Sequence, residues 1–326
     1  MIDWPCFVEV VCSHQRFALV AHVRPDCDAL GSELGMAGVL ERLGKDVLIV
    51  NAFAAPPNLR FLDPQGKLKQ LGVDVSAGQL EDREVFIVLD TTAWVQLGAM
   101  ADVLRKTKAL KLVLDHHVSE DDLGAHLFKD YEAEATGRLV VDAADALGVA
   151  LTAEIAQPLF AALATDTGWF RFASTGAGTF RTAARLMDAG AQPDRLFKEL
   201  YEDDTLARTQ LIGRTLARTR TELDGRLIYT WIERSDFEAT GAVPSDSEDL
   251  INMTLTVGGT EVAVILVEQV DGGFKISFRS RSEVDCSRIA EQFAGGGHKR
   301  AAGAFLNEPL DVARAKVLDA VRTAMR

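Results

Sequence analysis

The chain has 326 residues, of which 48% are hydrophobic and 25% charged, and its formal net charge is −13. This composition excludes a collagen-like, repetitive or disordered chain, and the acidic balance argues against tight binding of long duplex nucleic acid, which needs a basic face. A single core rarely grows past roughly 250–300 residues, so two domains are expected.

The first half of the sequence alternates strand and helix. Residues 17–23 read as a short apolar strand, 29–43 as a helix stopped by Gly44, and 46–50 as a second strand. Residues 85–89 and 111–114 read as further strands, ending at Asp90 and Asp115, with a helical stretch at 99–106 between them. Buried runs separated by helices predict an α/β domain with a doubly wound parallel sheet. Helices are expected at 137–147, 153–165, 179–189 and 193–199, then a polar, Arg-rich helix over 203–221 that reads as a solvated connector. The rhythm then changes. A strand at 227–232, a helix at 246–255, and a hairpin of 261–270 with 273–279 turning at Asp271-Gly272 are expected. A helix at 285–293 with Asp285 as N-cap, the run Gly295-Gly296-Gly297-His298, and a closing helix at 309–325 complete the chain. This organisation predicts a first domain at 1–195, a helical connector at 196–222 and a smaller α/β domain at 223–326.

No apolar run reaches the ~18 residues of a membrane span. The first residues carry Asp3 and Glu9 and no basic n-region, unlike a secretory signal. A cytoplasmic protein without a membrane partner is expected. The four cysteines, Cys6, Cys12, Cys27 and Cys286, contain no C-x-x-C pair, which speaks against a zinc finger or a thioredoxin-type site.

Three clusters of metal-type ligands stand out: His22-Val23-Arg24-Pro25-Asp26-Cys27-Asp28, Asp90 and Asp115-His116-His117. Each follows an expected buried strand, and the carboxyl edge of an open α/β sheet is where ligands bind. A carboxylate there is costly unless paired or bound to a cation. Singly, each residue has a plainer reading: Asp28 caps a helix, Asp90 ends a strand, and His116 and His117 are hydrogen-bonded or surface imidazoles. Jointly they fit a two-metal centre for phosphate-ester hydrolysis, in which ions about 3.5–4 Å apart activate water and neutralise charge. Mixed carboxylate and imidazole ligation suits Mn²⁺, with Mg²⁺ or another divalent ion as competitor, and Asp90 is placed to bridge two ions. Asp166, in Thr165-Asp166-Thr167-Gly168, is a further candidate, and Arg171 is a phosphate-pairing one. Gly295-Gly296-Gly297-His298 lacks the spacing of a P-loop. Its glycines allow close backbone approach to a ligand, where a simple helix C-cap needs one.

Taken together, His22-x-x-x-Asp26-x-Asp28 with Gly31-Ser32, Asp90, Asp115-His116-His117 and Thr165-Asp166-Thr167-Gly168 resemble the four motifs of the DHH phosphoesterases. Ser277-Phe278-Arg279-Ser280-Arg281 and Gly295-Gly296-Gly297-His298-Lys299-x-Ala301-Ala302-Gly303 resemble the DHHA1 domain that accompanies them. Length and the direct junction of the two parts resemble the nanoRNase/pAp phosphatase branch. The resemblance implies a metal-dependent enzyme that hydrolyses short oligoribonucleotides to mononucleotides and removes the 3′-phosphate of adenosine 3′,5′-bisphosphate, with two Mn²⁺ per site lying in an interdomain cleft. It implies that His22, Asp26 and Asp90 hold one ion, and that Asp28, Asp90, His116 and Asp166 hold the other. Asp115 would support the ligands, and His117 would contact the substrate phosphate. Arg279, Ser280, Arg281, Gly295, Gly296, Gly297 and His298 would grip the nucleotide. Short RNA and small nucleotides are the expected partners, and a homodimer is left open. Cys27 stands where the family commonly has Ala, and a thiol there makes the site a candidate for oxidation.

Other readings rank lower. A phosphodiesterase acting on cyclic dinucleotides or their linear products is the nearest. A long single-strand exonuclease fits the acidic charge poorly, and an inorganic pyrophosphatase would not need the Gly-Gly-Gly-His run. A non-catalytic nucleotide-binding regulatory module is disfavoured because every candidate ligand is present, and a structural protein with a surface metal because the ligands follow buried strands.

Overall fold

The structure, a computed structural model, describes residues 2–118 and 121–326. The chain divides into two compact units, Met1–Asp203 and Asp204–Arg326.

In the first unit, helix α1 (Trp4–Ser13) precedes strand β1 (Arg16–Val20), helix α2 (Cys27–Arg42) and strand β2 (Asp46–Asn51). Strands β3 (Leu68–Gln70) and β4 (Val85–Leu89), helix α3 (Met100–Lys106), and strands β5 (Leu110–Asp115) and β6 (His126–Lys129) follow. Four helices close the unit: α4 (Thr136–Ala146), α5 (Ala153–Asp166), α6 (Ala177–Asp188) and α7 (Pro193–Tyr201). The strands form one sheet in the order β3-β2-β1-β4-β5-β6, with every neighbour parallel. Side chains alternate across the pleat. Phe17, Leu19, Ile87, Leu89, Leu112 and Leu114 pack with the helices of one face. Ala18, Val20, Phe86, Val88 and Val113 pack with α3 on the other. Burial on both faces is why these strands read as continuous apolar runs. α1, β3 and β6 were not expected: α1 is short and amphipathic, and the two strands are short edge pieces.

Helices α2 and α5 pack closely because Gly31 and Gly35 face Pro158 and Leu159. A Cβ on Gly31 would sit 2.4 Å from the Pro158 carbonyl oxygen. This contact sets the start of α2, with Asp26 and Asp28, beside the end of α5, with Asp166.

The second unit contains helix α8 (Leu206–Ala217), strands β7 (Arg220–Glu222) and β8 (Leu227–Ile232), and helices α9 (Arg234–Thr240) and α10 (Leu250–Thr254). The hairpin of β9 (Val262–Glu268) and β10 (Phe274–Ser280) follows, then helix α11 (Cys286–Glu291), strands β11 (Gly296–His298) and β12 (Ala301–Leu306), and helix α12 (Leu310–Ala324). The sheet order is β11-β12-β10-β9-β8-β7, antiparallel except between β8 and β9. One face packs against α11 and α12 through Val264, Ile276 and Phe278. The other packs against α8 and α10 through Ile228 and Ile265. The helix read over 203–221 is shorter, since residues 220–222 pair as β7 with β8. The helix read at 246–255 is a 3₁₀ turn at Pro244–Ser247 followed by α10, because Asp249 takes a left-handed φ of 62° that breaks it.

Among the described residues no helix is long and apolar enough to cross a membrane.

Candidate metal centre

The strand order reverses between β1 and β4, the topological switch point of the sheet, where ligands bind at the carboxyl edge. His22 follows β1, Asp90 follows β4, and Asp115 ends β5 with His116 and His117 behind it. Asp90 adopts a left-handed φ of 63°, a conformation Asp tolerates better than most residues and one common at functional sites. It is 3% exposed.

The structure brings seven of the candidate site residues together. Three groups have ligand atoms within 4.8 Å of one another: His22/Asp26/Asp90, Asp28/His116/Asp166 and Asp90/His116/His117. His22 Nε2 lies 3.2 Å from Asp90 Oδ2 and 3.8 Å from Asp26 Oδ1. His116 Nε2 lies 3.5 Å from Asp90 Oδ1, 3.6 Å from Asp166 Oδ2 and 3.8 Å from Asp28 Oδ2. Asp90 thus stands between two groups, one oxygen toward each imidazole.

Both imidazoles are oriented from behind. His22 Nδ1 is 2.9 Å from its neighbour Val23's carbonyl oxygen, and His116 Nδ1 is 3.0 Å from that of Ala133. Donation there places the proton on Nδ1 and leaves the Nε2 lone pair for a cation. Asp28, fully buried, accepts from the backbone N–H groups of Thr136 at 2.7 Å and Gly137 at 2.9 Å and from Ser32 Oγ at 3.2 Å. The N-terminus of α4 therefore points at this carboxylate, and its positive end favours the charge. Thr136 Oγ1 donates to Asp90 Oδ1 at 2.8 Å. Asp115 accepts from Thr92 Oγ1 and from His117, whose Nδ1 is 2.8 Å away. Lys129 Nζ lies 3.2 Å from its other oxygen.

The electrostatics describe a site with too much negative charge. Burial, then the charges of Asp90 and Asp166, push Asp28 well above the usual carboxylate range. Burial raises Asp166 to about 6 against the pull of His116. Burial alone lowers His22, but hydrogen bonds with Asp26 and Asp90 outweigh it and carry it up to about 11. Burial opposes ionisation of Asp115 as well, yet the bonds from His117 and Thr92 bring it down to about 2. The bond to Asp115 raises His117 in turn. Four carboxylates sharing a few imidazoles fit divalent cations: a cation supplies the charge that protons otherwise provide. The donor set, oxygen and imidazole nitrogen without thiolate, is the kind that holds Mn²⁺ or Mg²⁺. Cys27 is 5% exposed, and burial pushes its thiol up to about 12. A buried protonated thiol reacts poorly with oxidants.

Arg171 is exposed, with Nε donating to the Gly168 carbonyl at 2.7 Å. In the second unit, Arg279 lies on β10 and Arg281 just beyond it, while Ser280 is buried and bonded to Ser282. Gly296, Gly297 and His298 form the edge strand β11, exposed and paired with β12. Thr92, Thr136 and Gly137, which hold the carboxylates, escape a reading of the sequence. The only local trace is a Thr-Gly pair opening a helix expected to start at 137.

A parallel α/β unit with acid–imidazole groups at its switch point, joined to a second α/β unit, is the framework of a metal-binding hydrolase of the phosphoesterase class. Residues 16–163 match the DHH family, N-terminal domain, and residues 224–326 match the DHHA1 domain. The chain is 34% identical over 307 residues to the bifunctional oligoribonuclease and PAP phosphatase NrnA of Thermus thermophilus, covering 93% of this chain and 88% of that protein. It is 26% identical over 303 residues to the Bacillus subtilis protein of the same name, covering 92% of each. An exopolyphosphatase-related protein from Bacteroides fragilis has the same fold, with a TM-score of 0.85 at 23% identity over 98% of this chain and 95% of that one. The Mn²⁺ complex of RecJ from Thermus thermophilus is a more distant match, with a TM-score of 0.52 at 15% identity over 98% of this chain and 54% of that one. The chain belongs to the DHH family of phosphoesterases, with a DHHA1 domain following the DHH domain.

Proposed function

We propose that this chain hydrolyses short oligoribonucleotides to mononucleotides and removes the 3′-phosphate of adenosine 3′,5′-bisphosphate, with two divalent ions, Mn²⁺ foremost, at the switch-point cluster. The observation that carries the reading is Asp90, a buried carboxylate with one oxygen toward His22 and the other toward His116. The names of the relatives at 34% and 26% identity support the substrates. The net charge of −13 favours small substrates over long strands.

In this reading His22, Asp26 and Asp90 hold one ion, and Asp28, Asp90, His116 and Asp166 hold the other. Such ions, when bound, lower the pKa of water and neutralise charge on the attacking and leaving oxygens of the phosphate. The remaining work belongs to the chain. Val23 and Ala133 fix the tautomers of the two imidazoles, and the start of α4 keeps Asp28 aimed inward. Asp115 holds His117 by its Nδ1 and favours its protonated form, so His117 is suited to bind the substrate phosphate. Arg171, Arg279, Arg281, His298 and the glycine strand bind the nucleotide.

The test is product analysis with metal-stripped protein resupplied with Mn²⁺, using an RNA di- to pentamer series, adenosine 3′,5′-bisphosphate, a cyclic dinucleotide and pyrophosphate. Mononucleotides from the short RNA and AMP from the bisphosphate are expected. Turnover of only the cyclic dinucleotide or pyrophosphate would overturn the substrate assignment, and no turnover with any divalent metal would overturn the enzymatic one.

A further inference from the structure

Glu33 lies within α2, fully buried among apolar neighbours such as Leu30, Leu34 and Ala37. A carboxyl in such a place is costly unless its oxygens are hydrogen-bonded. One is: Glu33 Oε2 accepts from Asn51 Nδ2 at 2.7 Å. Asn51 ends β2, is 2% exposed, and through Oδ1 accepts from the Ala21 backbone N–H at 2.8 Å. Ala21 is the residue between the end of β1 and His22. A buried chain of two side-chain hydrogen bonds therefore runs from α2, across the end of β2, to the backbone that carries His22. Among the described residues Glu33 Oε1 has no hydrogen-bond partner.

Packing does not call for this arrangement. A leucine fills similar volume at position 33 without a desolvation cost. An asparagine at the end of β2 is needed only if something must bond the Ala21 N–H and hold its own amide in one orientation. Glu33 does the second job: its oxygen takes the Nδ2 hydrogen, which fixes Oδ1 toward Ala21. Burial, opposed by the Asn51 bond and the charge of His22, pushes the Glu33 carboxyl up to about 8. Its role toward Asn51 is that of a hydrogen-bond acceptor.

We infer that Glu33 and Asn51 are positioning residues, a buried relay that fixes the Ala21–His22 backbone and so aims His22 Nε2 at Asp26 and Asp90 for metal binding. The inference rests on the metal-centre reading of the preceding subsection. Groups behind metal ligands typically change affinity by about 10–100-fold when removed.

The experiment titrates Mn²⁺ into full-length, metal-stripped protein by calorimetry and follows thermal unfolding of the same metal-free samples. Glu33→Leu and Asn51→Ala are expected to weaken the tighter Mn²⁺ site by about 10–100-fold, and Glu33→Gln, which keeps the acceptor oxygen, to restore affinity to within a few-fold. Glu33→Leu removes a buried carboxyl but leaves the Asn51 amide N–H without its acceptor, so a modest fall in metal-free melting temperature with a cooperative transition is expected, and that transition shows that the protein is folded. Parental affinity in a folded Glu33→Leu protein overturns the relay. So does a Glu33→Gln protein as weak as Glu33→Leu, since charge and not hydrogen bonding would then matter. If Glu33→Leu does not fold, Asn51→Ala decides on the same affinity criterion. Failure of the parent protein to bind Mn²⁺ would instead remove the metal-centre reading itself.

Discussion

Asp90 carries the greatest demand of any single residue in the first unit. Its backbone is left-handed, its side chain is buried, and it faces His22, His116 and His117 while accepting from Thr136. A strand-end turn residue would need none of these neighbours. Asp90→Ala is expected to lower kcat by at least about 10²–10³-fold, the scale of losing a group that stabilises transition-state charge. The metal-free variant should still fold cooperatively, since the loss of one mutually repelling carboxylate offsets part of the cost of Ala at a left-handed φ and of the lost bonds from His22 and Thr136. Steady-state kinetics with thermal circular dichroism check both, and undiminished turnover would sink the shared-ligand assignment. At this scale the candidate ligands were legible through their joint placement after buried strands, although each alone has a plain explanation. Thr92, Thr136 and Gly137 were not. Hydroxyls and backbone N–H groups are everywhere in a sequence, and only the fold brings residues 136 and 137 to Asp28.

At the scale of elements, β11 shows how one motif serves two physical needs. A Cβ on Gly297 would meet the Ala301 carbonyl oxygen at 2.6 Å, and its φ is 147°. A Cβ on Gly295 would meet the Gly303 carbonyl oxygen at 2.2 Å. These two glycines answer to the close pairing of β11 with β12. Gly296 has nothing within 4 Å of its hypothetical Cβ, so packing sets no requirement for glycine there, and in the proposed function it is the one free to approach a ligand. Gly297→Ala is therefore expected to destabilise the second unit by about 1–3 kcal/mol, while Mn²⁺ affinity stays at the parental value. Gly296→Ala should keep parental stability and raise KM for nucleotide substrates. Denaturant melts and steady-state kinetics on the two variants separate these effects, and the reverse pattern would reject the division of roles. The sequence marked the glycine run as special but carried no sign of a strand there, because a three-residue edge strand has no periodicity to read.

For the whole molecule, the charge cluster makes a statement about pH. Asp28, Asp166 and Glu33 all have raised folded-state pKa values, with Asp166 at about 6 and Glu33 at about 8. The folded protein therefore binds more protons than the unfolded chain between about pH 4 and pH 8, and stability falls as pH rises through that window. His22, raised to about 11, works in the same direction: its contribution is complete below its unfolded value near 6.5 and is lost toward 11. Asp115 acts only in strong acid, its contribution fading as pH falls toward 2. Metal-stripped protein is expected to melt at a lower temperature at pH 8 than at pH 5.5. Saturating Mn²⁺ should reverse the trend, since a cation binds the deprotonated ligands. Differential scanning calorimetry at the two pH values checks this, and a metal-free melting temperature that rises over the window would contradict the crowded-carboxylate picture.

By itself, the sequence determined the class of the first unit and singled out its carboxyl edge and the seven Asp and His side chains that the fold gathers there. Those are consequences of local patterning: apolar runs of strand length followed by Asp or His and, for Asp166, the run Thr165-Asp166-Thr167-Gly168. The tertiary structure decided what local patterning cannot carry. It set α2 against α5 through Gly31 and Gly35, so that Asp28 meets Asp166. It turned the start of α4 toward Asp28 and ran the Glu33–Asn51 chain beneath His22. Each of these joins residues remote in the chain, and their side chains are ordinary until the partner arrives. A buried glutamate in a helix or an asparagine at a strand end has no meaning in sequence, because its meaning is the hydrogen bond it makes.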